Sequence, residues 1–159
     1  MSIDIGVREW SEWEDVLPAP AWTGSTTNPV IGNGTIAGKL RRRGTEVDYR
    51  GIVQFGTTTT FGTGEWRIAL PAGVVGATIP ALSTPLLANC YQEGTCLYVP
   101  AGGAAQTGLC WLAPGGTVLR LVTNELTPRS ITGTVPTAFV AAATNFLSWQ
   151  IRFECQPGS

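Results

Sequence analysis

Histidine is absent from this chain of 159 residues, and charged side chains are scarce. Without histidine, the sequence excludes His-based catalytic triads and His-ligated metal sites, and it lacks the side chain that most readily exchanges protons near neutral pH. Charged residues make up 13% of the chain, about half of the usual share of roughly 25%, while apolar residues make up 43%. This balance favours a packed domain over intrinsic disorder.

An excess of positive charge is also missing, because the formal net charge is −1. A protein that binds nucleic acid or an anionic membrane through its overall charge is expected to be basic, so we predict neither partner. The one basic cluster, Lys39-Leu40-Arg41-Arg42-Arg43, is interpreted as an edge strand that its charge protects from unwanted pairing. The alternative is a grip on an acidic partner, a phosphate-rich polymer or nucleic acid.

Long hydrophobic runs are absent as well. No stretch approaches the roughly 18 apolar residues that a membrane helix needs. The first 16 residues carry five acidic side chains and no apolar run with a basic flank, so we expect no secretory signal. The sequence therefore predicts a protein that is made in the cytoplasm.

Four cysteines are present, and their spacing matches no zinc site. Cys90 and Cys96 flank residues 91–95, which are typical of a hairpin loop, so these two thiols could face each other. In a reducing cytoplasm we favour buried, unpaired thiols instead. We predict no bound metal and no cofactor, and we leave the pairing of the cysteines open: Cys90, Cys96, Cys110 and Cys155.

Helical spacing is found only over residues 7–17, where either a short helix or an extended arm fits. Elsewhere apolar residues alternate with polar ones, and 20 glycines and 11 prolines interrupt the chain. This pattern predicts an all-β fold, an antiparallel β-sandwich that is jelly-roll-like, with an immunoglobulin-like sandwich as the alternative. The predicted strands cover residues 35–42, 45–55, 65–70, 86–91, 95–99, 107–112, 117–123 and 147–155.

The chain divides into two parts on this interpretation. Residues 1–22 form an N-terminal arm, which ends at a proline-rich stretch, and residues 23–159 form the β-sandwich domain. The arm carries three tryptophans, which we expect to anchor the domain to a larger particle or to contact other subunits: Trp10, Trp13 and Trp22.

Two patterns resemble catalytic or cofactor motifs, and we interpret both as structural. Gly32-Asn33-Gly34 matches part of a dinucleotide-binding fingerprint, but a strand follows it where the fingerprint needs a helix, so a turn is favoured. Glu46 and Asp48 share the polar face of one strand at a spacing that an inverting glycosidase could use. Pairing with the nearby arginines is the simpler role, and we predict no catalytic residue and no enzyme activity.

Two segments carry a resemblance to a known family. The first runs from Trp13 to Gly38, and the second, residues 56–71, contains a Thr-Phe-Gly-Thr-Gly-Glu-Trp sequence. Together they resemble a jelly-roll-like domain of actinobacteriophage minor tail proteins and other virion surface proteins. In the second segment, Gly62 and Gly64 are expected to form a tight turn, Trp66 to fill the core and Phe61 to hold the loop onto it.

The resemblance implies a non-enzymatic structural protein of a tailed-phage virion. Modules of this kind tend to be homotrimers, so the expected partners are copies of the chain and other capsid or tail proteins. The module would decorate the capsid or lie at the tail tip, where it would attach to the host. The alternative is a stand-alone, lectin-like module that binds a cell-wall glycan, with Tyr98 and Trp111 as the aromatic residues that face the ligand.

Overall fold

The computed structural model describes residues 9–77, 92–100 and 103–158, and these residues form nine β-strands and no helix. All strand pairs are antiparallel, which confirms the predicted fold class. Within this part of the chain nothing helical is long and apolar enough to cross a membrane. The strands are β1 (Glu14–Asp15), β2 (Trp22–Gly24), β3 (Thr35–Arg43), β4 (Glu46–Gln54), β5 (Trp66–Ala69), β6 (Gln92–Tyr98), β7 (Gln106–Leu112), β8 (Val118–Thr123) and β9 (Phe146–Glu154).

The nine strands form one continuous sheet with the order β1-β3-β4-β9-β6-β7-β8-β5-β2. The sheet curls, so that strands far apart in this order face each other across the core. The Tyr49 hydroxyl of β4 donates to the Ala69 carbonyl of β5 at 3.1 Å, and the ring centroids of Trp22 and Phe55 lie 5.6 Å apart. The predicted sandwich is thus built by one curled sheet whose two halves pack together.

Alternation along the strands fills the core, as the sequence predicts. In β4 the inward residues Val47, Tyr49 and Val53 are fully buried, and they lie opposite Phe153, Ile151 and Leu147 of β9. A period of two places every second side chain on the same face of a sheet, so one register error would turn this whole set to solvent. Burial of these apolar side chains is therefore what fixes the β4–β9 pairing.

A cluster of aromatic rings closes one end of the core. Trp66 is fully buried, lies 5.9 Å from Phe61 between ring centroids, and donates its indole N–H to the Phe61 carbonyl at 3.0 Å. The backbone turns at Gly62 and Gly64, with φ angles of 58° and 84°. Only glycine adopts such angles readily. The predicted roles of these residues in the turn and the core are confirmed.

The segment from residue 16 to residue 22 spans the gap between the two edges of the sheet. At one side the Val16 amide donates to the Gly38 carbonyl, and at the other the Ala69 amide donates to the Ala21 carbonyl, both at 2.9 Å. Residues 9–22 contain no helix, and strand is assigned only at residues 14–15 and at residue 22. The predicted boundary between arm and domain falls inside β2, and Trp22, at 8% exposure, belongs to the core.

Two local expectations are corrected by the strand pairing. Residues 92–95, predicted as part of a hairpin loop, lie inside β6, and the hairpin follows that strand, between β6 and β7. The basic strand β3 is not at the edge, because the short strand β1 pairs with its residues Leu40 and Lys39. The predicted strand at residues 86–91 lies outside the described residues.

The turn at Gly32 leads into β3, as the turn interpretation of this motif predicts. Gly32 has a φ angle of 61°, and the Asn33 side chain accepts a hydrogen bond from the Thr58 amide at 3.0 Å. Asn33 therefore fastens this turn to the loop that contains Thr58, and Gly32 lets the two loops approach closely. No helix opens on the glycines of this motif, so the feature that a dinucleotide site requires is missing here.

Candidate binding surface

A shallow groove of about 630 Å³ crosses the outer face of the sheet, on strands β3, β4, β9, β6 and β7. Besides Gly38, Gly51, Cys96 and Trp149, it is lined by nine described residues whose side chains the two-residue period turns away from the core. Register pairs arrange them in two parallel rows that run across the strands. The donor row consists of Lys39, Arg50, Gln150 and Thr95, and the central row consists of Ala37, Ile52, Ser148, Leu97 and Thr107.

The donor row presents hydrogen-bond donors on four neighbouring strands. Lys39 and Arg50 are direct cross-strand partners, and each is exposed. Like charges placed opposite each other on a sheet repel, so this pair lowers stability unless an anion lies nearby. Asp15 meets Lys39 at 3.1 Å, but both side chains are more than half exposed, which makes that ion pair weak.

The central row forms an apolar floor beside the donors. Ile52 is 38% exposed and Leu97 is 36% exposed, and both belong to the large hydrophobic residues that reach the surface. Ser148 lies between them in the register and adds one hydroxyl group. No acidic side chain is among the described residues that line the groove. The surface therefore combines a cationic wall, neutral donors and a small aliphatic floor.

Two of the predicted anchoring tryptophans lie at one end of this face. The Arg50 guanidinium lies 3.6 Å from the centre of the Trp13 ring, and Arg41 lies between Trp13 and Trp10 at 4.6 and 4.8 Å. Arg43 and Arg152 also lie near Trp10, each at 5.0 Å. These cation–π contacts hold the N-terminal segment on the sheet of its own chain. Both rings are partly exposed, and an anchoring role for them stays a prediction.

The paired acids of β4 are engaged by arginines. Glu46 accepts a hydrogen bond from Arg43 at 3.0 Å, and Asp48 accepts one from Arg41 at the same distance. This confirms the predicted arginine pairing of the two acids. Asp48 is only 2% exposed, however, where the sequence predicts a solvated side chain, and its second oxygen, Oδ1, is buried with no hydrogen-bond partner among the described residues.

A third acidic residue, Glu65, links strands on the other half of the outer face. It accepts hydrogen bonds from Arg120 and Arg67 at 3.0 and 2.9 Å and from the Ser130 hydroxyl at 2.8 Å. Burial raises the pKa of Glu65, but these hydrogen bonds outweigh it, and the pKa lies below its usual value. The sequence gives no signal for this network, because Arg120 and Ser130 lie 55 and 65 residues away from Glu65 along the chain, although Arg67 is close to it.

The two aromatic residues predicted to face a ligand have different positions. Tyr98 is 2% exposed and occupies an inward position of β6 opposite Leu147, so its ring packs in the core. This corrects the expectation for Tyr98, and burial raises the pKa of its hydroxyl group. Trp111 points outward, is partly buried and lies opposite Arg120 on β8. It is outside the groove.

Three cysteines are buried and unpaired: Cys96, Cys110 and Cys155. Burial raises the pKa of the Cys96 thiol to about 12 and raises that of Cys110 further, so neither forms a thiolate at neutral pH. The favoured interpretation of these three as buried hydrophobic residues is confirmed, while Cys90 lies outside the described residues. Within the described ranges no three Cys, Asp or Glu side chains are grouped as a metal site would need.

Comparison of the chain with protein-family models, with curated proteins and with solved structures gives no match. The groove must therefore be judged by its own chemistry. One feature of the sequence indicates the groove: Ile52 interrupts the polar face of an otherwise alternating strand. Ile52 alone does not predict the groove, because several of its partners there come from strands that are distant in sequence.

Proposed function

We propose that this chain is a non-enzymatic structural module of a tailed-phage virion. It would be displayed on the particle surface as a homotrimer, either on the capsid or at the tail tip, where it would contribute to host attachment. Its partners would be its own copies and neighbouring virion proteins. The proposal starts from the resemblance of residues 13–71 to virion surface domains.

The observation that carries the proposal is how the residues of that resemblance are used. The most specific part, residues 56–71, forms a tight turn around Gly62 and Gly64 and delivers Trp66 to the centre of the aromatic cluster. Glu65, the acidic residue of this segment, forms ion pairs with Arg67 and Arg120. A motif that builds a core in this way supports a scaffolding role.

The test has two parts. Sedimentation equilibrium of the full chain should give three times the mass of one chain, because the proposal requires a trimer. Immunogold labelling with an antibody against the chain should mark intact particles of the phage that encodes it. A monomer together with unlabelled particles would contradict the proposal, and the position of the gold on head or tail distinguishes decoration from attachment.

The second candidate function is a carbohydrate-binding module. The groove favours it, because its wall offers amide, hydroxyl and cationic donors beside an aliphatic floor. In this case the chain would bind a glycan as a monomer. A glycan-binding monomer that is absent from particles would favour this candidate over the first.

A further inference from the structure

We propose that the outer-face groove binds an acidic polysaccharide, a polymer of sugars that carry carboxylates. The inference goes beyond the virion role, because it holds whether the chain is carried by a particle or acts alone. It rests on the donor row, the central row and the absence of acidic residues among the described residues that line the groove.

Charge complementarity selects an anionic ligand. Lys39 and Arg50 face each other across two strands, and adjacent strands lie only about 4.8 Å apart. Lys39 already meets Asp15, but that ion pair is exposed and weak. A ligand carboxylate placed between the two cations would therefore still relieve their repulsion and accept charge-assisted hydrogen bonds, which are the stronger kind. Arg50 is already oriented by the Trp13 ring beneath its guanidinium, so little side-chain freedom is lost on binding.

The neutral donors select a ligand with hydroxyl groups. Gln150 and Thr95 continue the donor row on β9 and β6, and Ser148 and Thr107 lie in the adjacent row. Amides and hydroxyls both donate and accept, which suits sugar hydroxyls that also do both. The donor row crosses four strands, so its length is roughly 14 Å, which suits an extended chain of several sugar units.

The apolar floor is too small to favour a folded protein as the occupant. Stable protein interfaces bury about 800 Å² on each partner around a well-packed apolar centre. Here only Ile52 and Leu97 supply large aliphatic contact, and each is about two-thirds buried already. Two such side chains match the C–H face of a sugar ring, whose edges carry the polar groups.

The probes are polygalacturonate and alginate, two uronic-acid polymers of different linkage, with dextran as the neutral control and polyglutamate as the anionic polypeptide control. We expect the full chain to bind at least one uronic-acid polymer in calorimetry, to ignore dextran, and to bind more weakly as salt increases. Equal binding to polyglutamate would show general attraction of anions or a protein partner, and would overturn the proposal. Failure to bind either uronic-acid polymer would overturn it as well.

Three variants locate the site. Lys39→Gln with Arg50→Gln should weaken binding by about tenfold or more, as expected for the loss of hydrogen bonds to a charged group. Gln150→Ala with Thr95→Ala leaves the charge unchanged and should weaken binding by roughly threefold to tenfold. Arg43→Gln with Arg129→Gln removes the same charge outside the groove and should leave affinity within about twofold, since neither residue lines it.

Two readouts separate this proposal from the others. Near-ultraviolet circular dichroism of each variant reports whether the tryptophans remain packed, so that loss of binding is not confused with loss of fold. If both groove variants bind as well as the unmodified chain, or if the control variant loses as much affinity as they do, the groove is not the site. Sedimentation equilibrium of the unmodified chain without polysaccharide tests the virion proposal independently, because that measurement does not depend on the groove being occupied.

Discussion

Single residues set the shape of the loop that carries the family resemblance. At Gly62, a β-carbon would lie 2.2 Å from the Thr27 carbonyl oxygen, and the φ angle is 58°. Gly73 also has a positive φ angle, of 80°, but apart from its two chain neighbours no described residue has an atom within 4 Å of such a carbon. The two glycines therefore share a backbone conformation and differ in their surroundings.

We predict that Gly62→Ala destabilises the protein more than Gly73→Ala. The second change should lower the free energy of unfolding by about 1 kcal/mol, the usual cost of a left-handed alanine. In Gly62→Ala the new methyl group would also collide with the Thr27 backbone, so that loop would have to move. The total loss in the free energy of unfolding should therefore exceed about 2 kcal/mol. Urea unfolding followed by tryptophan fluorescence measures both, and equal losses would contradict the close approach at Thr27.

The Glu65 network predicts a pH dependence of stability. The pKa of Glu65 is lower in the folded protein than in the unfolded chain, so its contribution is present above the ordinary glutamate pKa and is lost as the pH falls through the folded value. Glu65→Gln should therefore lower the melting temperature at pH 7, and the difference from the unmodified protein should shrink in acid. Glu12→Gln, at an exposed position, is the control and should change little at either pH.

Local sequence was enough for some of these residues and not for others. Gly62, Gly64, Phe61 and Trp66 were predictable because turn glycines and neighbouring aromatics act within a few residues of one another. Tyr98 was not, because its direction depends on the register that β6 takes between β9 and β7. A shift of one residue in that register would have exposed its ring.

At the scale of elements, residues 9–22 serve both as cover and as core. Trp10 and Trp13 lie on the outer face over arginines, whereas Val16 and Trp22 are buried at 7% and 8% exposure. The segment is therefore neither a free arm nor wholly part of the domain. The part of the segment before β1 covers the outer face, and the part after it contributes to the core.

Truncation at two points tests this division. Removal of residues 1–13 should lower the melting temperature but leave the protein folded, because it removes five partly exposed cation–π contacts of about 0.5–1 kcal/mol each and none of the described core residues. Removal of residues 1–22 should unfold it, because loss of a large buried aromatic residue such as Trp22 alone costs about 3–5 kcal/mol. Near-ultraviolet circular dichroism and thermal melts distinguish the outcomes, and a folded protein without residues 1–22 would contradict the core role of Trp22.

The strands themselves were largely predictable, and their order in the sheet was not. Alternation located β3, β4, β5, β7, β8 and β9 to within about two residues, because half-buried strands require it. Their order places β9 between β4 and β6, a long-range pairing that no local pattern encodes. For the same reason the groove, which needs five strands side by side, became visible only in the folded molecule.

For the molecule as a whole, folding depends on contacts between distant parts of the chain. Val47 pairs with Phe153, and Trp22 packs on Phe55 and Trp66. Because one core joins all these segments, we predict a single cooperative unfolding transition, with main-phase folding in the range of about milliseconds to seconds that non-local β-proteins show. Coincident transitions by fluorescence and far-ultraviolet circular dichroism would support this, and two separated transitions would contradict it.

The sheet ends on strands of two and three residues, β1 and β2, and the segment between them crosses from one end to the other. An exposed edge strand can pair with a strand of another copy, which leads to aggregation. The risk of aggregation rises with the length of flat, unpaired backbone at the edge. Here each edge strand is too short to pair stably with a strand of another chain. When many copies are packed side by side on a dense surface, their sheet faces would then come into contact. The sheet of one copy would not continue into the next through backbone hydrogen bonds.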